Sequence, residues 1–134
     1  MPFRPVARVR EPAVPMQPLV EPAGWTARDF AANDDWIYQL SGAEVDEVRR
    51  SVAAVQRAEL GILDVTRENF PLPKFDAGLE ALYDELLEGR GFPLIRGLPI
   101  EDFDNTQAGI AFWGIGTRFG RALSQNPRGH MLGH

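Results

Sequence analysis

The run Gly91-Phe-Pro-Leu-Ile-Arg-Gly-Leu-Pro-Ile100 constrains this chain more than any other stretch. It is apolar, closed off by glycine and proline, and too short for a helix of ordinary length. Leu94, Ile95, Leu98 and Ile100 crowd it with aliphatics. A helical pattern precedes it and another follows, so the expected order is helix, buried strand, turn, helix. The strand is placed at Phe92 to Arg96, with Pro93 tolerated near its beginning or on an edge. Leu98-Pro99 turns the chain.

The flanking patterns are amphipathic. Ser41 and Glu44 form a capping box, in which each side chain satisfies a free backbone N–H. The helix it opens runs from Ser41 to Leu60, with Val45, Val48, Val52 and Val55 on one stripe. Asp46 and Arg50 are spaced for an ion pair on its wet side, and Gly61 ends it. Asp76 is expected to cap the next helix, which runs to Glu88 with Leu79, Leu82, Tyr83, Leu86 and Leu87 on one face. Gly89 and Gly91 stop it. Asp104, Asn105 or Thr106 caps a last helix reaching Leu123, with Ala108, Ala111, Phe112, Ile115 and Phe119 inward. Gly114, Gly116 and Gly120 weaken that helix by roughly 1 kcal/mol each relative to alanine, which points to close backbone approach or an early end. Earlier in the chain, Thr26 caps a short turn over Ala27 to Ala32. Trp36 to Leu40 reads as a strand, Leu63 to Val65 as a strand or turn, and Phe70 to Pro73 as a loop.

Six of the eleven prolines lie in residues 1–22. Proline fixes φ and lacks a donor, so this segment reads as an extended, mobile tail. Its PxxP spacing at Pro2/Pro5 and along Pro12, Pro15 and Pro18 also suits a polyproline ligand. Residues 23–134 then form the one domain that 134 residues support. A net charge of −5 argues against a nucleic-acid surface. No apolar run approaches the ~20 residues of a membrane helix, and the first residues lack a signal-peptide apolar region. Zero cysteines exclude disulfides and thiolate metal sites. The expected location is cytoplasmic, with no membrane partner and an oligomeric state left open.

Chemistry-bearing motifs are sparse. His130 and His134 are four apart, a zinc-compatible spacing on a helix, but Pro127, Gly129 and Gly133 oppose a helix there. Gly114-Ile-Gly116-Thr-Arg-Phe-Gly120 has the spacing GxGxxxG and follows a helical pattern, so tight helix packing explains it better than phosphate binding. The acidic pairs Asp34-Asp35, Asp46-Glu47, Asp84-Glu85 and Glu101-Asp102 read as caps or solvated helix faces. Ser124 lacks a GxSxG context. Trp25, Trp36 and Trp113 read as core anchors.

Gly91-Phe-Pro-Leu-Ile-Arg-Gly-Leu-Pro99, a helix, and then Phe119-Gly-Arg-Ala-Leu-Ser-Gln-Asn126 resemble the N-terminal part of the TauD/TfdA family. These are Fe(II)- and 2-oxoglutarate-dependent dioxygenases built on a double-stranded β-helix. The resemblance spans roughly residues 25–134 and is strongest over 91–126, with Pro93 departing from a hydrophobic position. It implies an α+β fold: N-terminal helices and first core strands of a jelly-roll, incomplete. It also implies Fe(II) and 2-oxoglutarate as cofactors of the complete domain and a small organic acid or amine as substrate. Ser124, Gln125 and Asn126 would border the substrate pocket. The family holds iron through a His-x-Asp/Glu pair and a distant histidine. His130 is followed by Met131-Leu132 and matches neither, so no catalytic iron is expected to bind this stretch, which reads as a truncated N-terminal fragment. The alternative is a small standalone α+β interaction or regulatory module tethered by its Pro-rich tail.

Overall fold

The computed structural model describes residues 2–6 and 9–132. Four helices and one two-stranded parallel sheet make an α+β arrangement: α1 (Ala27–Ala31), β1 (Ile37–Gln39), α2 (Gly42–Arg57), α3 (Phe75–Glu88), β2 (Leu94–Arg96) and α4 (Asn105–Gly116). Short 3-10 turns lie at Ile62–Asp64 and Ile100–Asp102. The strands pair in the register Ile37 with Leu94, Tyr38 with Ile95, and Gln39 with Arg96. Helices α2 and α3 form the crossover that parallel pairing requires.

The core is where the periodicity of α2 placed it, and only partly where that of α3 and α4 did. Val48, Val52 and Val55 of α2 are buried against Leu79 and Leu82 of α3 and Ile110, Ala111 and Ile115 of α4. The connecting segment seals its base, with Phe70, Leu72 and Phe75 also inside. Ser51 is buried and donates to the Pro71 carbonyl at 2.6 Å, which fixes that segment to α2. Gly114 faces the Phe70 ring so closely that a Cβ there would overlap it. Close packing is thus the role of this glycine.

Helix boundaries show which expectations local sequence could support. The Ser41–Glu44 box forms, with Ser41 N–H donating to Glu44 at 2.7 Å and Glu44 N–H to Ser41 Oγ at 3.3 Å. Thr26 with Asp29, and Asp104 with Gln107, cap α1 and α4 in the same way. Helix α2 does not run on to Gly61. It ends at a Schellman motif centred on Glu59, whose φ is +54°: Glu59 N–H donates to Gln56 O at 3.0 Å and Leu60 N–H to Val55 O at 3.2 Å. Asp46 and Arg50 form no ion pair among the described residues; Arg49 pairs instead with Asp102 at 2.5 Å.

Asp76 is not the cap of α3. The N-cap is Lys74, and its N–H donates to Glu47 Oε1 at 2.9 Å, while Phe75 N–H donates to Glu47 Oε2 at 3.1 Å. Asp76 instead accepts Arg118 Nε at 2.8 Å. The buried Arg118 also donates to Phe70 O at 2.7 Å and Gly114 O at 3.0 Å, tying the end of α4 to α3 and its preceding loop. Glu47 and Glu85, read as surface groups, are both buried. The inward face of α3 is rotated accordingly: Glu85 is inside, and Tyr83 and Leu87 are exposed.

Two further expectations fail. Helix α4 stops at Gly116 rather than Leu123, and Phe112 points outward, 67% exposed. The strand β2 is not buried, since Leu94 and Arg96 are exposed and Ile95 is half-buried. Among the described residues its sole strand neighbour is β1. Trp113 packs on the core, but Trp25 and Trp36 do not enter it. They join Phe30 and Phe92 in a separate cluster of edge-to-face rings, with centroids 4.9 to 6.0 Å apart.

Proline-rich residues 11–20 are exposed, as a linker would be. They are nonetheless closed into a loop by Glu11 N–H donating to Val20 O at 3.1 Å. Met16 at the turn has φ +65°, which interrupts the polyproline helix that PxxP spacing suggests.

Candidate functional site

Helix α4 ends against the segment that returns across it. Beyond Gly116, residues 121–130 are exposed, and Met131 and Leu132 fold back half-buried. Between them lies a cavity of about 290 Å³ walled by Phe112, Trp113, Phe119, Gln125, Met131 and Leu132. Arg121 also lines it. Its surface is mainly apolar, with the Arg121 guanidinium, the Gln125 carboxamide and the Thr117 side chain as polar features.

A second groove, of about 430 Å³, adjoins the first through Phe112 and Phe119. Leu86 of α3, Pro93 and Ile95 of the β2 segment, and Leu98 of the turn complete its walls. This groove lies along the strand that the sequence marked as buried. Its apolar content is what the Gly91–Ile100 run promised, but nothing in the described chain covers it.

The three residues assigned to a pocket rim have different roles. Gln125 reaches the cavity wall. Ser124 and Asn126 hold the loop: Ser124 Oγ donates to Asn126 O at 3.0 Å, and Asn126 Oδ1 accepts Arg128 N–H at 3.0 Å and His130 N–H at 3.2 Å. Asn126 Nδ2 lies 3.0 Å from His130 Nδ1. Gly129, with φ +82°, permits this turn. His130 is therefore a loop residue, and its proposed companion His134 lies outside the described residues.

Among the described residues, no three of His, Cys, Asp or Glu converge in a way that could hold a metal ion. The described residues therefore do not fit an iron centre. A perturbed polar pair lies elsewhere, at Tyr38 and Glu44, where the phenol donates to Oε1 at 2.6 Å. Burial and the Glu44 carboxylate push the Tyr38 phenol well above its ordinary value. Burial opposes ionisation of Glu44, but the Tyr38 hydroxyl and the Ser41 N–H and hydroxyl outweigh it and hold its carboxyl below the usual range. Both groups serve the β1–α2 junction and face neither cavity. Sequence reasoning missed Phe112 and Arg121 as cavity residues. Helical spacing pointed Phe112 inward, and only the packing of α4, which buries Ile110, Ala111, Gly114 and Ile115, shows otherwise.

No family model matches the chain. It is similar to the taurine hydroxylase-like protein SAT17 of Stachybotrys chartarum, with 30% identity over 102 residues, 76% of this chain and 26% of that protein. It is also similar to FR-33289 synthase of Streptomyces rubellomurinus, with 21% identity over 116 residues, 87% of this chain and 34% of that protein. The chain thus spans between a quarter and about a third of the length of the curated relatives it matches. No helix among the described residues is long and apolar enough to cross a membrane.

Proposed function

We propose that this stretch is the N-terminal part of an Fe(II)- and 2-oxoglutarate-dependent dioxygenase of the TauD/TfdA kind. The complete enzyme would hydroxylate a small organic acid or amine in the cytoplasm. The observation that carries this reading is similarity to a protein named as taurine hydroxylase-like, over three quarters of the chain. Motif resemblance at residues 91–126 supports it. So does the geometry of β2, whose uncovered groove suits further strands of a double-stranded β-helix.

In this reading the iron ligands belong to polypeptide beyond these residues, and no chemical step is assigned to the stretch itself. Its own contribution is positional. Phe112, Trp113 and Phe119 supply an apolar wall, and the loop built by Ser124 and Asn126 presents Gln125 at the rim.

The test is to read the gene past codon 134 and assay the encoded polypeptide for Fe(II)-dependent conversion of 2-oxoglutarate to succinate. Taurine and related small acids and amines serve as co-substrates. Expected are a His-x-Asp or His-x-Glu within roughly the next hundred codons, the span of about one domain, and succinate release stimulated by one co-substrate. A reading frame without the motif, or no turnover of 2-oxoglutarate, overturns the proposal. Tight stoichiometric Fe(II) binding by the 134-residue chain, lost on His130→Ala, contradicts the placement of the ligands.

A further inference from the structure

The residues Phe3 to Val6 do not hang free. Arg4 N–H donates to Asp35 O at 2.8 Å, and Val6 N–H donates to the Glu85 carboxylate at 3.2 Å. The Phe3 ring meets Tyr38 edge-on at 5.8 Å. The Arg4 carbonyl accepts Arg90 Nη1 at 2.9 Å.

Arg90 is the centre of this attachment. Its side chain is 11% exposed and also reaches Glu85 at 2.8 Å and Asp35 at 3.1 Å. Its carbonyl accepts the Trp25 indole N–H at 2.8 Å. Asp35 stands two residues before β1, and Arg90 four residues before β2, in the segment that leads into it. One guanidinium therefore joins the starts of both strands of the parallel sheet, and the N-terminal segment lies across that junction. A two-stranded sheet is marginal by itself, and the strap meets the core of α2, α3 and α4 only at its edge, where the half-buried Phe3 and Tyr38 rest against it.

We propose that Phe3–Val6 is a strap that locks the parallel sheet through Arg90, and that it opens as a unit while the helical core stays folded. With the strap in place, the Glu85–Arg90 pair is shielded and the strand starts are held in register. With the strap off, water reaches the pair, Arg4 O no longer orients the guanidinium, and the sheet loosens. The groove along β2 then changes width without any change in α2 or α3. The device is independent of the enzyme assignment above.

Hydrogen exchange on the full chain tests it with two variants. Phe3→Ala combined with Arg4→Pro removes the ring seat and the N–H bonded to Asp35 O, and proline tolerates extended backbone. Arg90→Lys keeps the charge but loses the fork that reaches three acceptors. The probes are the Leu40 amide, which donates to Arg96 O at 2.9 Å, and the Trp25 indole N–H. Expected in both variants is exchange faster by about tenfold or more at these probes, with Val52 and Val55 amides unchanged, the pattern of sub-global opening. Unchanged exchange in the double variant shows a passive arm and overturns the proposal. Exchange raised equally at Val52 and Val55 overturns it too, because the arm then belongs to the global unfolding unit.

Discussion

The Glu47 carboxylate on α2 accepts the Phe75 N–H at 3.1 Å, so one helix supplies the N-terminal cap of another. Lys74 N–H donates to the same carboxylate. A negative charge at this point also complements the positive end of the α3 dipole. Glu47→Ala leaves two N–H groups without their acceptor in a buried setting and is expected to cost about 2–4 kcal/mol. Glu47→Gln keeps an acceptor and loses the charge, at about 1 kcal/mol. Denaturant melts of both variants check the order.

The Tyr38–Glu44 pair makes stability depend on pH at both ends. The Glu44 carboxyl is held below its unfolded value, so its contribution is present above the ordinary carboxylate range and is lost as pH falls through the folded value. The Tyr38 phenol is held above 10.0, so its contribution is complete below pH 10 and declines as pH rises past it. Tyr38→Phe should raise the Glu44 titration midpoint and flatten the alkaline limb. Carboxyl NMR titration with melts across pH measures both; a Glu44 midpoint unmoved by the substitution contradicts the pairing.

Glu59 occupies a left-handed position that favours glycine. Glu59→Gly should therefore stabilise the chain by about 1 kcal/mol, against the usual direction of glycine substitutions. Glu59→Ala keeps the Cβ and should show no comparable gain. Thermal melts of the two variants separate these outcomes.

Gly114 and Gly116 sit two residues apart on α4 and should respond in opposite ways. A Cβ at 114 overlaps the Phe70 ring, whereas one at 116 meets nothing within 4 Å. Gly114→Ala is expected to destabilise by about 1–3 kcal/mol through overpacking. Gly116→Ala should gain about 0.5–1 kcal/mol of helix propensity. Equal effects from the two would remove the packing explanation.

The closed core predicts a cooperative thermal transition for this stretch, while the open groove predicts self-association as concentration rises. Phe112→Asp should suppress the association and leave the melting temperature within a few degrees, since Phe112 is 67% exposed. Sedimentation velocity beside calorimetry provides the comparison. A molten, non-cooperative baseline contradicts the packing described.

Local sequence by itself determined the caps at Thr26 and Ser41, a cap within Asp104–Thr106 that the structure fixes at Asp104, the valine stripe of α2, and the existence of both strands. Each depends on interactions spanning a few residues, so spacing reveals it. Tertiary structure alone decided that Glu47 rather than Asp76 caps α3, because a carboxylate on another helix accepts those N–H groups while Asp76 accepts Arg118. It also decided that Glu85 is buried: Arg90 and the Val6 N–H compensate its desolvation, and neither partner is visible in the α3 pattern. The same holds for β2. Its composition promises burial, but burial needs a covering surface, and a run of apolar residues does not say which surface that is. The family resemblance alone grouped Ser124, Gln125 and Asn126 as the border of a pocket. The fold separated them, because Asn126 bonds the turn back to His130 and leaves Gln125 at the cavity.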